Sequence, residues 1–175
     1  MPGLDISAVI GAPPQRVLKA FFEPDALHAW WQVAHAVTAP RVLGPYAVAW
    51  ETTEFRDEVL GRLGGIFRGT VMQFQADRGF FVADVFWLPP DGDPIGPMAF
   101  EVVCTPAGSN GMTEPNVMTA ANGPTGMKGT SGTSGTHVRV TQQGYEESER
   151  WRRYYEVIGD GWERALASLK ALLEK

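Results

Sequence analysis

The stretch from about Trp151 to Glu174 constrains the fold more than any other part of the chain. Ile158, Trp162, Ala165, Leu166, Leu169, Leu172 and Leu173 recur at helical spacing, which puts them on one stripe of a single helix. Glu163, Arg164, Ser168, Lys170 and Glu174 fall on the other side. A stripe with a tryptophan and four leucines needs a broad apolar surface to cover it. Gly159 and Gly161 flank Asp160, and each glycine costs a helix about 1 kcal/mol relative to alanine. Asp160 with Glu163 also has the form of a capping box, although Ser or Thr is the usual first residue. The expectation is one continuous, slightly bent helix with Trp162 at a cavity wall; a helix restarting at Asp160 is the alternative.

The upstream sequence offers the covering surface as strands. Leu4 to Ile10 is a short apolar run with β-branched Ile6, Val9 and Ile10. Gly11-Ala12-Pro13-Pro14 ends it and starts a helix from about Pro13, because proline loses nothing in a helix's first turn. Val17, Leu18 and Phe21 share a face of that helix, and Pro24 stops it. A second short helix runs from Pro24 to about Ala29 and leads into Trp30-Trp31. From Val33 the period becomes alternating. His35 to Thr38 and Pro45 to Thr52 read as strands, the latter with Tyr46, Val48 and Trp50 on one face. Thr53 to Gly65 is more polar and reads as a turn with a short paired segment. Gly65 to Gln75 and Gly79 to Leu88 form a hairpin across Ala76-Asp77-Arg78, with Gly69 a candidate bulge that would switch the faces beyond it. Pro89-Pro90-Asp91-Gly92-Asp93-Pro94 breaks the pattern. Met98 to Thr105 and Thr136 to Gln143 are the last two strands, the latter with Val138 and Val140 inward and His137 outward.

Residues 106–135 stand apart. Gly, Ser, Thr, Asn and Pro dominate, and the segment ends in the near-repeat Gly129-Thr130-Ser131-Gly132-Thr133-Ser134-Gly135. Such a composition buries too little apolar surface to offset its ordering entropy, which favours a flexible insertion over a lid. Met112, Val117, Met118 and Met127 are the apolar handles that a lid would use. The chain of 175 residues is thus expected to be a single domain, 1–175, with an insertion at 106–135. Its order of strand, two helices, about six antiparallel strands and a long helix is that of an α+β domain.

Composition narrows the function classes. A net charge of −5 argues against a nucleic-acid surface. Cys104 is the only cysteine, so neither an internal disulfide nor a cysteine zinc site is available. The N-terminus lacks the basic and apolar regions of a signal peptide, and no apolar run reaches the roughly 20 residues of a membrane span. The expectation is a cytoplasmic protein.

Four ordered segments resemble a known superfamily. Ala12-Pro13-Pro14-Gln15-Arg16-Val17, then Glu23-Pro24-Asp25-Ala26-Leu27 with Trp30-Trp31, is similar to the opening of SRPBCC (START-like) proteins. The Gly135-Thr136 strand closing at Gly144, then Gly161-Trp162-Glu163-Arg164-Ala165-Leu166, resembles the ending of one branch. That branch comprises homologues of the activator of the ninety-kilodalton heat-shock protein's ATPase. The resemblance covers nearly the whole chain outside 106–135. It implies a helix-grip fold: a curved antiparallel sheet of about six to seven strands around the C-terminal helix, with two short helices after the first strand and a cavity between. It carries no invariant catalytic set, and relatives range from lipid and hormone carriers to polyketide cyclases and co-chaperones.

Within that frame the cavity candidates are Trp31, Trp50, Phe67, Phe74, Phe81, Trp87, Phe100, Val138, Tyr154, Ile158 and Trp162. A plain aromatic core is the competing account. An empty cavity of about 300 Å3 would forgo about 7 kcal/mol at roughly 24 cal/mol per Å3, rivalling a domain's whole stability. Such a space is filled by ligand or water, or closed by the rings. Arg68 and Asp84 either pair across the hairpin facing a ligand or sit on the outer face, which is favoured. His28, His35 and His137 show no metal-ligand spacing, and no cofactor motif is present. Glu51, Glu54, Asp57 and Glu58 read as a polar turn rather than paired catalytic carboxylates.

Three functions compete. A non-enzymatic binding domain for a small apolar or amphipathic molecule ranks first. A cyclase- or hydrolase-like enzyme using Asp84 or Tyr154 comes second. A co-chaperone acting on a heat-shock-protein ATPase comes third, because this chain begins directly at the first strand of the grip, without the extra N-terminal domain of the eukaryotic activators. Homodimers occur among relatives, but no residue here marks the surface.

Overall fold

A computed structural model of the chain describes residues 2–108 and 135–175. The insertion expected at 106–135, its near-repeat and its four apolar handles lie outside the described residues, except at its two ends. Those ends meet: Pro106 pairs with Thr136 across two neighbouring strands.

Seven strands form one antiparallel sheet in the order β1-β9-β8-β7-β6-β3-β2. They are β1 (Leu4–Ile10), β2 (His35–Thr38), β3 (Pro45–Trp50), β6 (Gly65–Gln75), β7 (Gly79–Leu88), β8 (Ile95–Pro106) and β9 (Thr136–Gln143). β4 (Arg56–Asp57) and β5 (Gly61–Arg62) make a separate small hairpin, the paired segment expected between Thr53 and Gly65. Two short helices, α1 (Pro14–Lys19) and α2 (Pro24–Trp31), follow β1, and α3 (Glu149–Leu173) ends the chain. This is the helix-grip arrangement. Several boundaries differ from the sequence expectation, and α1 ends at Lys19, before Phe21 and well short of Pro24. α2 runs on through Trp31, β3 stops at Trp50, and β8 starts at Ile95 directly after the proline-rich breaker.

α3 is continuous through Gly159 and Gly161. Ser148 caps its start by accepting from Trp151 N–H at 3.2 Å, so the capping box at Asp160 is not used. Trp162, Ala165, Leu166, Leu169 and Leu173 are buried, as the stripe requires, and Trp151, Tyr154 and Tyr155 extend it toward the N-terminus. At the other end, Lys170 donates to the Val9 carbonyl and Glu174 accepts from Gly11 N–H, tying the helix to β1.

The connection from α1 to α2 fills one end of the grip. Its carbonyls are satisfied by side chains rather than by helix: Trp30 Nε1 donates to Ala20 O and Tyr46 OH to Phe21 O, each at 2.9 Å. Phe21 and Phe22 thereby sit against Phe80 at 5.6 and 4.8 Å between ring centres, and Phe80 meets Tyr46 and Phe100. The β6–β7 pairing shifts register twice. Opposite Gly69 the extra residue is on β7, so Phe67 and Val71 keep one face and the switch expected at Gly69 does not occur. At Val71/Gln73 the extra residue is Met72 of β6. Gly69 lies in the first, where a Cβ would stand 2.7 Å from Val82 and 2.8 Å from the Ala83 carbonyl.

Two charge pairs that helical spacing would allow, Glu149 with Arg153 and Glu146 with Arg150, do not form. Arg153 turns from Glu149 to Asp57 at 2.7 Å, and Arg150 donates to the Asp93 carbonyl. The buried Asp57 carboxylate is the stronger partner for a guanidinium than an exposed one a turn away. Glu146 lies before the helix begins.

Candidate functional site

At the end of the sheet away from Phe80, the space between sheet and α3 is hollow. A cavity of about 690 Å3 lies there, within the range of small-molecule sites. Its aromatic wall comes from three sources. α2 supplies Trp30 and Trp31; the strand ends supply Trp50, Phe67 and Trp87; and α3 supplies Tyr154 and Trp162, with Val157, Ile158, Gly161 and Ala165 beside them. Register explains the gathering, because Phe67 pairs with Trp87 and Trp50 with Gly65, so three strands end their inward faces at one level.

The rings are held by specific contacts. Trp30 and Trp31 stack at 5.1 Å with planes 6° apart, Trp31 tilts onto Trp162 at 4.7 Å, and Trp50 meets Trp31 edge-on at 5.1 Å. Trp50 Nε1 donates to Trp31 O at 2.9 Å and Trp87 Nε1 to Gly64 O at 2.8 Å. Both bonds anchor indoles to backbone at the rim. α2 ends with Gln32 in the left-handed region at φ 59°, an uncommon conformation for a non-glycine residue, on the cavity lining itself.

The β4–β5 hairpin covers part of the opening with Leu60 and Leu63. It is fastened on two sides. Asp57, buried at 5% exposure, accepts from Val59 and Leu60 N–H at 3.0 Å each and from Arg153 of α3 at 2.8 Å. The Arg153 hydrogen bond, aided by the two backbone donors and opposed by burial, holds the Asp57 carboxyl below its ordinary value. On the other side Asp91 takes a two-pronged pair from Arg62 at 2.9 and 3.0 Å, with Arg56 at 3.5 Å. Of the acidic cluster read from the sequence, Asp57 thus anchors the hairpin, while Glu51, Glu54 and Glu58 are exposed. Glu51, Thr53, Arg164 and Ser168, all exposed, mark the mouth. A mouth open to water means the volume is not a sealed void, so the dry-cavity penalty does not apply.

The inner end is polar and uncharged. Tyr154 OH donates to Gln142 Oε1 at 2.9 Å, with both residues on the lining and nearly fully buried. Burial pushes the Tyr154 hydroxyl well above the ordinary tyrosine value, so it stays a neutral phenol. The lone Cys104 is buried away from the cavity, its thiol pushed up to about 12 by desolvation. Among the described residues no group of three His, Cys, Asp or Glu side chains gathers as a metal site.

Trp31, Trp50, Phe67, Trp87, Tyr154, Ile158 and Trp162 come together on this lining; four other candidates do not. Phe100 is buried one layer back, against Phe67 at 5.4 Å and Trp162 at 5.9 Å. Val138 is fully buried in the core. Phe74 lies at the filled end, 5.4 Å from Phe22 and beside a shallower depression of about 500 Å3 that includes Met72 and Val103. Phe81 pairs with Gln73 and Glu101, both exposed, on the outer face of the sheet. Asp84 and Arg68 are exposed, Asp84 at φ 54° beside the shift between Val82 and Val85. Gln142 was missed, although its signal was visible: it shares the inward parity of Val138 and Val140, and a polar residue at an inward position is a marker.

Solved structures with the same architecture are similar over nearly the full length. Protein MLL2253 from Mesorhizobium loti matches with a TM-score of 0.63 and 18% identity, covering 98% of this chain and 96% of that one. The Aha1 protein from Colwellia psychrerythraea, solved as a dimer, matches at 0.59 and 16%, covering 99% and 97%. The AHSA1 protein from Silicibacter pomeroyi matches at 0.58 and 12%, covering 98% and 97%. No protein-family model and no curated protein matches the sequence. The fold is therefore the one that these Aha1 and AHSA1 structures share. Among the described residues no helix is long and apolar enough to cross a membrane.

Proposed function

We propose that this chain is a binding domain for a small hydrophobic or amphipathic molecule, held between the sheet and the C-terminal helix. The observation that carries the reading is the open cavity of about 690 Å3 walled by five tryptophans, two of them fixed to backbone carbonyls at the rim. Rings pinned in this way present a preformed apolar surface, which lowers the ordering cost of binding.

An enzymatic reading has less support. Asp84 is exposed, on the outer side of the β7 bulge, and Tyr154 is kept neutral and engaged with Gln142. No histidine or cysteine is among the described residues of the lining, so no nucleophile–base pair is assembled there. Native mass spectrometry of protein purified gently from its own host tests the binding reading. A retained small molecule, released on denaturation, is the expected result. Bare protein, together with unchanged tryptophan emission and melting temperature across lipids, polyketides and aromatics, would count against it.

A further inference from the structure

The Gln142–Tyr154 pair has one unused capacity. Gln142 is 2% exposed and its Oε1 accepts the Tyr154 hydroxyl, which leaves the amide Nε2 with two hydrogens and no acceptor among the described residues. Yet no buried side-chain nitrogen or oxygen among those residues lacks a partner. The amide nitrogen therefore opens onto the cavity that Gln142 lines.

We infer that this donor is a specificity subsite, and that the ligand is a flat, ring-containing molecule presenting an uncharged carbonyl to Gln142 Nε2. The inference rests on the ligand-binding reading above and names the class of molecule that the site takes. The ring-containing character follows from the lining, where the contiguous rings of Trp30, Trp31, Trp50 and Trp162 offer aromatic surface on which a flat ring system packs. Neutrality follows from the charges. The charged groups of the lining, Glu51 and Arg164, are both exposed at the mouth, so a carboxylate at the inner end would lose its hydration without gaining a cation. A carbonyl is the group that accepts from an amide N–H and needs no counter-charge. The Tyr154 bond holds the amide in the orientation that offers it.

A matched set of fused-ring probes separates these features. Fluorene and 9-fluorenone share one shape and differ by a methylene against a carbonyl, and fluorene-9-carboxylate adds a charge. In calorimetric or tryptophan-emission titrations, the wild-type protein should bind fluorenone about tenfold more tightly than fluorene, the worth of one good hydrogen bond, and the carboxylate least tightly. The double variant Gln142→Leu/Tyr154→Phe should lose that preference while keeping fluorene affinity within about threefold. Tyr154→Phe alone, checked for an unchanged fold by circular dichroism, should weaken the preference by loosening the amide. Equal binding of fluorene and fluorenone by the wild type would overturn the subsite and leave the cavity reading standing. So would a double variant that keeps the preference, or a wild type that favours the carboxylate. If the folded wild type binds none of the three, the binding reading fails and this inference with it.

Discussion

At one end of the sheet Phe21, Phe22, Tyr46, Phe80 and Phe100 meet ring to ring, while at the other Trp31, Trp50, Trp87 and Trp162 stand around open volume. Both ends are aromatic and both are gripped by the same sheet. What differs is the element that covers the rings. At the filled end the α1–α2 connection inserts Phe21 and Phe22 directly against Phe80, with the Tyr46 hydroxyl tied to the Phe21 carbonyl. At the other end the indoles of Trp50 and Trp87 are tied to rim carbonyls, which keeps the rings from collapsing inward. The cover there is the small β4–β5 hairpin, fastened by ion pairs on both sides and seated by Leu60. One end is built to be full and the other to be filled.

The largest test of this contrast is truncation at each end. Phe80→Ala removes a ring that touches four others, and should cost about 3–5 kcal/mol in chemical denaturation. Leu63→Ala, on the half-buried cavity lining, should cost about 1 kcal/mol. Equal losses would mean that the two ends are packed alike.

The hairpin fastening should respond more modestly. Arg153→Met leaves the buried Asp57 carboxylate without its ion partner and should cost clearly less than Phe80→Ala in chemical denaturation, since the guanidinium end is itself open to water. Amide exchange at residues 57–62 should speed up while that of Phe80 and Phe100 does not. The pH dependence follows from the depressed Asp57 carboxyl. A folded-state value below the unfolded one gives stability that is present above the ordinary carboxylate range, near pH 4, and is lost as pH falls through the folded value. The hairpin should therefore stay fastened at neutral pH and loosen only in acid, and Asp57→Asn should flatten that acid response.

The smallest effect separates the two helix glycines. A Cβ at Gly159 or Gly161 meets nothing within 4 Å, so Gly159→Ala should stabilise the fold by about 0.5–1 kcal/mol in thermal unfolding. Gly161 lines the cavity, so Gly161→Leu should block it and abolish probe binding where Gly159→Ala leaves binding intact.

Much of the architecture was legible because helix and strand periods are local properties. The stripe of α3 and the strands from Leu4 to Ile10 and from Thr136 to Gln143 announce themselves over a few residues, whereas Gly69 does not switch the faces: Phe67 and Val71 on either side of it are both buried. The site was less legible because alternation reports a face but not an end. Phe100 and Val138 lie on the correct face, buried beyond the cavity wall. Phe74 comes after two register shifts and emerges at the filled end, and Phe81 is on the outer face by parity. The Asp57–Arg153 fastening joins residues 96 apart, and no local pattern carries that pairing.

The central claim, a preformed ligand cavity at one end of the grip, can be tested with the six tryptophans as reporters. Five of them line the cavity, whereas Trp151 does not. With 5-fluorotryptophan incorporated and each fluorine resonance assigned by single Trp→Phe variants, titration with 9-fluorenone should shift Trp31, Trp50 and Trp162 saturably and leave Trp151 in place. Unmoved cavity resonances, or a Trp151 shift as large as theirs, would contradict the account.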